Sequence, residues 1–169
     1  ERFGVAEPVL VNRIDRETSG LVLIAKTPES AQNLWKQFSR HLVWKRYTVY
    51  VEGAFPERAE ASGWLVPDRA SAVRKKRLFV PAAPGAAAPE AGAEWAETAF
   101  ERVRVCDGFS ELRAVPRTGR LHQIRATLLA LGYPVVGDKL YGVDETLFLR
   151  FCADTLTDGD RRLLRLERQ

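Results

Sequence analysis

At 169 residues the chain can build one domain with a sizeable core. Its 26 Lys and Arg against 22 acids give a net charge of +4, a mild bias toward anionic partners such as nucleic acid. No apolar run approaches the roughly 20 residues of a membrane span, and two cysteines with two histidines are too few for a disulfide framework or a His-rich metal centre. The opening ERFGVAEPVL lacks the layout of a signal peptide, and Cys106 and Cys152 read as buried thiols of a reducing compartment, so a cytoplasmic protein is expected.

The stretch RIDRETSG, residues 13–20, places charges and a turn signal directly before the apolar run Leu21-Val22-Leu23-Ile24-Ala25. That run is short and continuously apolar, which predicts a buried strand. Thr27-Pro28-Glu29 predicts a helix start, with a hydroxyl N-cap, Pro in the first turn and an acid at the positive dipole end. Ala31, Leu34, Trp35, Phe38 and Leu42 follow at helical spacing and should form its packing face. Tyr47 to Gly53 has strand composition, as do Gly63 to Val66, Arg77 to Val80, Glu97 to Val105 and Phe109 to Val115. Asp107-Gly108 joins the last two as a hairpin.

Between Pro81 and Glu94, PAAPGAAAPEAGAE is too poor in large apolar groups to hold regular structure, and predicts a mobile loop between two strands. Leu121 to Leu131 predicts a second amphipathic helix, stopped by Gly132 with Pro134 close behind. Thr157 to Leu166 predicts a third. Many strands with a few helices packed on them point to a single domain over residues 1–169, of the α+β class, with a mixed, mostly antiparallel β-sheet.

Charge distribution says more than the total. Arg69, Arg74, Lys75, Lys76 and Arg77 crowd one segment; Arg113, Arg117, Arg120 and Arg125 crowd another. Arg125 falls inside the apolar stripe Leu121, Ile124, Leu128, Leu131. A guanidinium there is costly to desolvate unless it snorkels to the rim or meets a carboxylate, for which Asp15 is a natural candidate.

The residues of this chain carry a resemblance. NRIDRETSGLVLIAK, residues 12–26, resembles the signature HRLDxxTSGLLLxAK of the RluA family of pseudouridine synthases. Lys45-Arg46-Tyr47 with Val51-Glu52-Gly53 resembles that family's K-x-Y-x-x-x-V-x-G strand. Arg117-Thr118-Gly119-Arg120-Leu121-His122-Gln123-Ile124-Arg125 resembles TGRxHQIR, and Pro134-Val135-Val136-Gly137-Asp138 with Leu140-Tyr141-Gly142 is similar to HPIxGDxxYG. The four motifs stand in the family's order across residues 12–142. Asn12 departs from the usual His. The family's upstream strand, with its lysine-proline-alanine-glycine segment, is absent before Glu1, and relatives continue past Gln169. The expectation is a fragment trimmed at both ends or a natural short form.

The resemblance implies a pseudouridine synthase catalytic fold and an RNA-modifying isomerase acting on uridines in rRNA or tRNA. It implies Asp15 as the nucleophile, Tyr47 as the aromatic stacked on the target uracil and Arg125 as the cation paired with Asp15. Arg13, Arg16, Arg74, Lys75, Lys76, Arg120 and His122 are the expected RNA contacts. The chemistry asks for these types. One carboxylate can detach and reattach the base by covalent catalysis, attacking C1′ or C6. Water must be excluded meanwhile, and an aromatic recovers part of the cost of unstacking the target. No metal or organic cofactor is expected, and the chain should be monomeric. Two rival readings are an RNA-binding module of the same fold without turnover, and a hydrolase using Asp15 and Glu17 as paired carboxylates. Two acids that close in sequence lie nearer each other than to opposite sides of a sugar ring.

Overall fold

A computed structural model describes residues 8–165. The chain divides into two compact units, residues 1–44 and residues 45–169. In the first, β1 (Val9–Leu10) pairs antiparallel with β2 (Ile24–Ala25), and α1 (Pro28–Ser39) follows. Thr27 caps α1 as expected, its hydroxyl accepting from the Ser30 N–H at 3.2 Å, with Pro28 in the first turn. The core of this unit is small: Val11, Ala25 and Ala31 are buried, and Val9, Leu34 and Phe38 pack on them.

The run 21–25 departs from expectation. Only Ile24–Ala25 is strand, Leu21 is 91% exposed, and Val22, Leu23 and Ile24 are exposed as well. Two-residue strands offer too few ladder bonds to extend the pairing, and Asn12 supplies the missing tie from its side chain. Its Oδ1 accepts from the Leu23 N–H at 2.7 Å, beside the backbone bond from Val11 N–H to Leu23 O. Trp35 and Leu42, assigned by periodicity to the packing face, are also exposed.

The second unit is built on a five-stranded antiparallel sheet of order β3-β7-β6-β4-β5. Its strands are β3 (Tyr47–Glu52), β4 (Arg58–Pro67), β5 (Arg77–Pro81), β6 (Glu94–Cys106) and β7 (Phe109–Pro116). Strict alternation buries Ala61, Leu65, Ala96, Phe100, Leu112 and Ala114 on one face, where α2 (Gln123–Ala130) packs through Ala126 and Leu128. The Asp107-Gly108 hairpin forms as expected, with both residues at positive φ, 39° and 84°. β4 runs longer than predicted because Arg58 to Ser62 finds a complete partner in β6.

The second helix differs in its face. Leu121 lies outside it and is exposed, whereas Gln123, Ala126, Thr127 and Leu128 are buried. Gln123 takes an inward place because its side-chain hydrogen bonds are fully met there. Two short helices follow, α3 (Thr146–Cys152), which periodicity did not reveal over seven residues, and α4 (Asp158–Leu163). Thr157 caps α4 in a reciprocal box with Asp160; the expected end at Leu166 lies outside the described residues. Cys106 is half-buried, and Cys152, the last residue of α3, is exposed, not buried as composition suggested. No helix among the described residues is long and apolar enough to cross a membrane.

Residues 82–93 form neither helix nor strand, as expected, and turn at Gly85 and Gly92 with positive φ. Near their ends the Ala82 N–H and the Ser62 carbonyl bond at 3.0 Å, and Glu90 meets Arg69 at 3.2 Å. Loop closure depends weakly on length. Deleting residues 83–92 should therefore move the melting temperature by only a few degrees, measured by thermal unfolding beside the parent. A loss of folding would show that the loop bears structure.

Candidate active site

In the first unit the acid of RIDRETSG sits on a tight turn. The Thr18 N–H donates to the Asp15 carbonyl at 3.0 Å, closing a four-residue turn with Asp at its favoured first position. The backbone at Asp15 is thus fixed by a local hydrogen bond. Asp15 is half-buried, and Arg13 and Arg16 are exposed beside it. Gly20 takes a φ of 147°, which eases the exit toward β2.

In the second unit Tyr47 opens the edge strand β3, opposite Ala114 of β7, and packs half-buried on the core. The other end of β3 organises the segment after α2. The Glu52 N–H donates to Pro134 O at 2.9 Å and the Val136 N–H to Tyr50 O at 2.8 Å, and Val135 bridges to Val51. This added edge leads through Gly137, at positive φ, into Asp138.

The turn before α2 is held by Gln123. Its Oε1 accepts from the Thr118 hydroxyl and the Arg120 N–H, and its amide donates to Glu97 O and Thr98 Oγ1, all between 2.8 and 2.9 Å. Every donor and acceptor lobe of the amide is used, which explains a buried glutamine in this motif. The Lys45 ammonium donates to Thr118 O at 3.0 Å. Burial pushes its pKa below the ordinary lysine value, and the nearby Arg120 charge adds to the fall. His122 adopts a left-handed backbone, φ 56°, and its Nδ1 lies 2.9 Å from the Tyr141 hydroxyl.

Arg125 is half-buried, and the acid the structure places on it within its own unit is Asp138. Nε donates to Oδ2 at 2.6 Å and Nη2 to Oδ1 at 2.8 Å. The Asp138 side chain is 3% exposed. Burial works to raise its pKa, but the hydrogen bonds and charge of Arg125, with the N–H groups of Tyr141 and Leu140, outweigh it and hold the carboxyl below its ordinary value. Asp138 and Tyr141 fall in the motif of residues 134–142, which by itself gives them no role. The detectable signal was a carboxylate four residues past Pro134 that an inward arginine could reach.

The expected RNA contacts separate. Arg74 and Lys75 are exposed at the turn before β5. Lys76 is instead buried and faces inward, 3.5 Å from Asp68 and paired with Glu145. An ammonium so placed is held by carboxylates on both sides and is a structural cation. Arg120 is half-buried, donating to Trp95 O at 3.2 Å and lying 3.6 Å from Glu94.

The family model for RNA pseudouridylate synthase matches residues 1–130. The tRNA pseudouridine(32) synthase, mitochondrial, of Saccharomyces cerevisiae is 37% identical over 79% of this chain and 28% of its own length. The dual-specificity RNA pseudouridine synthase RluA of Pasteurella multocida is 33% identical over 83% of this chain and 59% of its own. The chain thus spans much less than the full length of either. A solved structure, human RNA pseudouridylate synthase domain containing 1, superposes with a TM-score of 0.70 at 23% identity, covering 85% of this chain and 59% of that one. With the fold and four ordered motifs, these matches establish that the chain belongs to the RluA family of RNA pseudouridylate synthases.

Proposed function

We propose that the chain carries the catalytic part of an RNA pseudouridine synthase that isomerises uridines in rRNA or tRNA. The observation that carries the reading is that Asp15, Tyr47 and Arg125 all lie within the residues matched by the family model. Isomerisation breaks the bond from N1 to C1′, turns the base and joins C5 to C1′. The C5 proton is lost and N1 regains one, so atoms balance without redox change or hydrolysis. Asp15 serves as the nucleophile, attacking C1′ or C6, on a backbone that its turn already holds still. Tyr47 offers the stacking face for the extruded uracil, and Arg125 supplies fixed positive charge to the substrate. The named relatives act on RNA, and the pI near 9.3 agrees with an RNA partner.

Incubating the purified chain with transcribed tRNA and rRNA, then digesting to nucleosides for chromatography, tests this. Pseudouridine should appear as uridine falls. Binding without product would favour the module lacking turnover, and free uracil would favour hydrolysis.

RNA affinity should fall steeply with salt as phosphate counterions are released. Arg74→Ala with Lys75→Ala should reduce the slope of log affinity against log salt by roughly 1–2 if both contact phosphate. Lys76→Ala should leave the slope unchanged and lower stability, because it breaks the pairs with Asp68 and Glu145. Equal slopes in the parent and the double variant would remove Arg74 and Lys75 from the interface.

A further inference from the structure

We propose that Asp138 is a positioning residue for Arg125, its carboxylate setting the angle at which the guanidinium serves the reaction; this rests on the role given to Arg125 above. The arginine is gripped along one edge, through Nε and Nη2. That side-on grip uses two of its five N–H donors, and the end-on pair, Nη1–H with the outer Nη2–H, has the geometry suited to a second anion.

The carboxylate is itself immobile. Oδ1 also accepts the Leu140 and Tyr141 N–H groups, each at 2.9 Å. The turn beneath it has no slack, since a Cβ at Gly142 would fall 2.1 Å from the Asp138 carbonyl oxygen. The guanidinium is supported on its face too. It lies 4.9 Å from the centre of the Tyr141 ring, which is wholly buried. The Tyr141 hydroxyl is pinned in turn, accepting from the Arg77 N–H at 2.8 Å and meeting His122 Nδ1 at 2.9 Å. An ion pair kept only for stability needs no such scaffold, because an apolar pair of similar volume serves as well or better. A cation that must be aimed does need it.

The test is Asp138→Asn. The amide oxygen can still accept from Leu140 and Tyr141, but its NH2 meets the Arg125 Nε–H donor to donor, so the fork loses its aim. Well below the variant's melting temperature, kcat for pseudouridine formation should fall roughly 10–100-fold, with KM for RNA within about threefold. Asp138→Asn should cost far less in an Arg125→Lys background, because the residue acts through the fork. A lower melting temperature with parental kcat would mark Asp138 as structural only and overturn the assignment. Where Asp138→Asn is too unstable to assay, Asp138→Glu carries the same comparison, keeping charge but displacing it by a methylene, and parental kcat there overturns the assignment equally. Parent turnover is the control: a parent that makes no pseudouridine overturns the functional reading and this one with it, whereas an active parent beside a fully active variant overturns only this one.

Discussion

Asp15→Asn should abolish isomerisation, lowering kcat by on the order of 10³ or more, while leaving fold and RNA affinity nearly intact. An amide is almost the shape of a carboxylate but a far poorer nucleophile, and loss of a nucleophile removes the chemical step as a unit. The fold is spared for a local reason. The hydrogen bond that closes the turn uses the Asp15 backbone carbonyl, and asparagine suits the first turn position as well as aspartate. The variant should therefore still unfold in a single cooperative transition, measured by thermal unfolding beside the parent. Turnover within tenfold of the parent, at equal RNA affinity, would remove Asp15 from the nucleophile's place.

Arg125→Leu should be costly in both activity and stability. Leucine suits the apolar stripe of the helix, but removing the guanidinium orphans Asp138, an acid with a 3% exposed side chain. Breaking a buried pair from one side typically costs about 3–5 kcal/mol. The Asp138 pKa is depressed in the fold, so the pair's contribution is present above the unfolded value of about 3.9 and is lost as pH falls through the lower folded value. In the variant the Leu140 and Tyr141 N–H groups remain but the guanidinium is gone, so the carboxyl rises from its depressed value. The stability gap should thus be widest near neutral pH and narrow under acid, seen in denaturant midpoints at both. Adding Asp138→Asn to Arg125→Leu removes the orphaned charge yet keeps an acceptor for the Leu140 and Tyr141 N–H groups, so it should recover part of the loss in stability and none in activity. Equal stability of parent and single variant at neutral pH would contradict the pairing.

What the chain shows without coordinates depends on the range of the forces involved. The strands of the second unit were legible because alternation reports burial on one sheet face, as in Leu112 and Ala114, and because Asp107-Gly108 dictates its turn locally. The apolar run at Leu21 was misleading. Its composition is that of a buried strand, yet strand length depends on a partner ladder, and here only two residues pair on each side. Lys76 looked like one more member of a cationic surface, since its partners Asp68 and Glu145 are brought together only by the fold. Arg125 was legible as an anomaly, a charge on a packing helix. Asp138 was not, because a carboxylate in a Gly-Asp turn reads as solvated until the β3 edge is seen to carry that turn beneath α2. Gln123 passed unnoticed for the same reason: its four partners come from β6 and the preceding turn.

The central claim, base isomerisation by this chain, is tested most directly by the fate of the C5 hydrogen. Joining C5 to C1′ expels that hydrogen, and neither binding nor glycosidic hydrolysis does so. RNA transcribed with uridine tritiated at C5, incubated with the purified chain, should release tritium to water in step with pseudouridine formed, with no free uracil, and Asp15→Asn should release none. RNA that is bound while its tritium stays in place, or tritium recovered on free uracil, would contradict it.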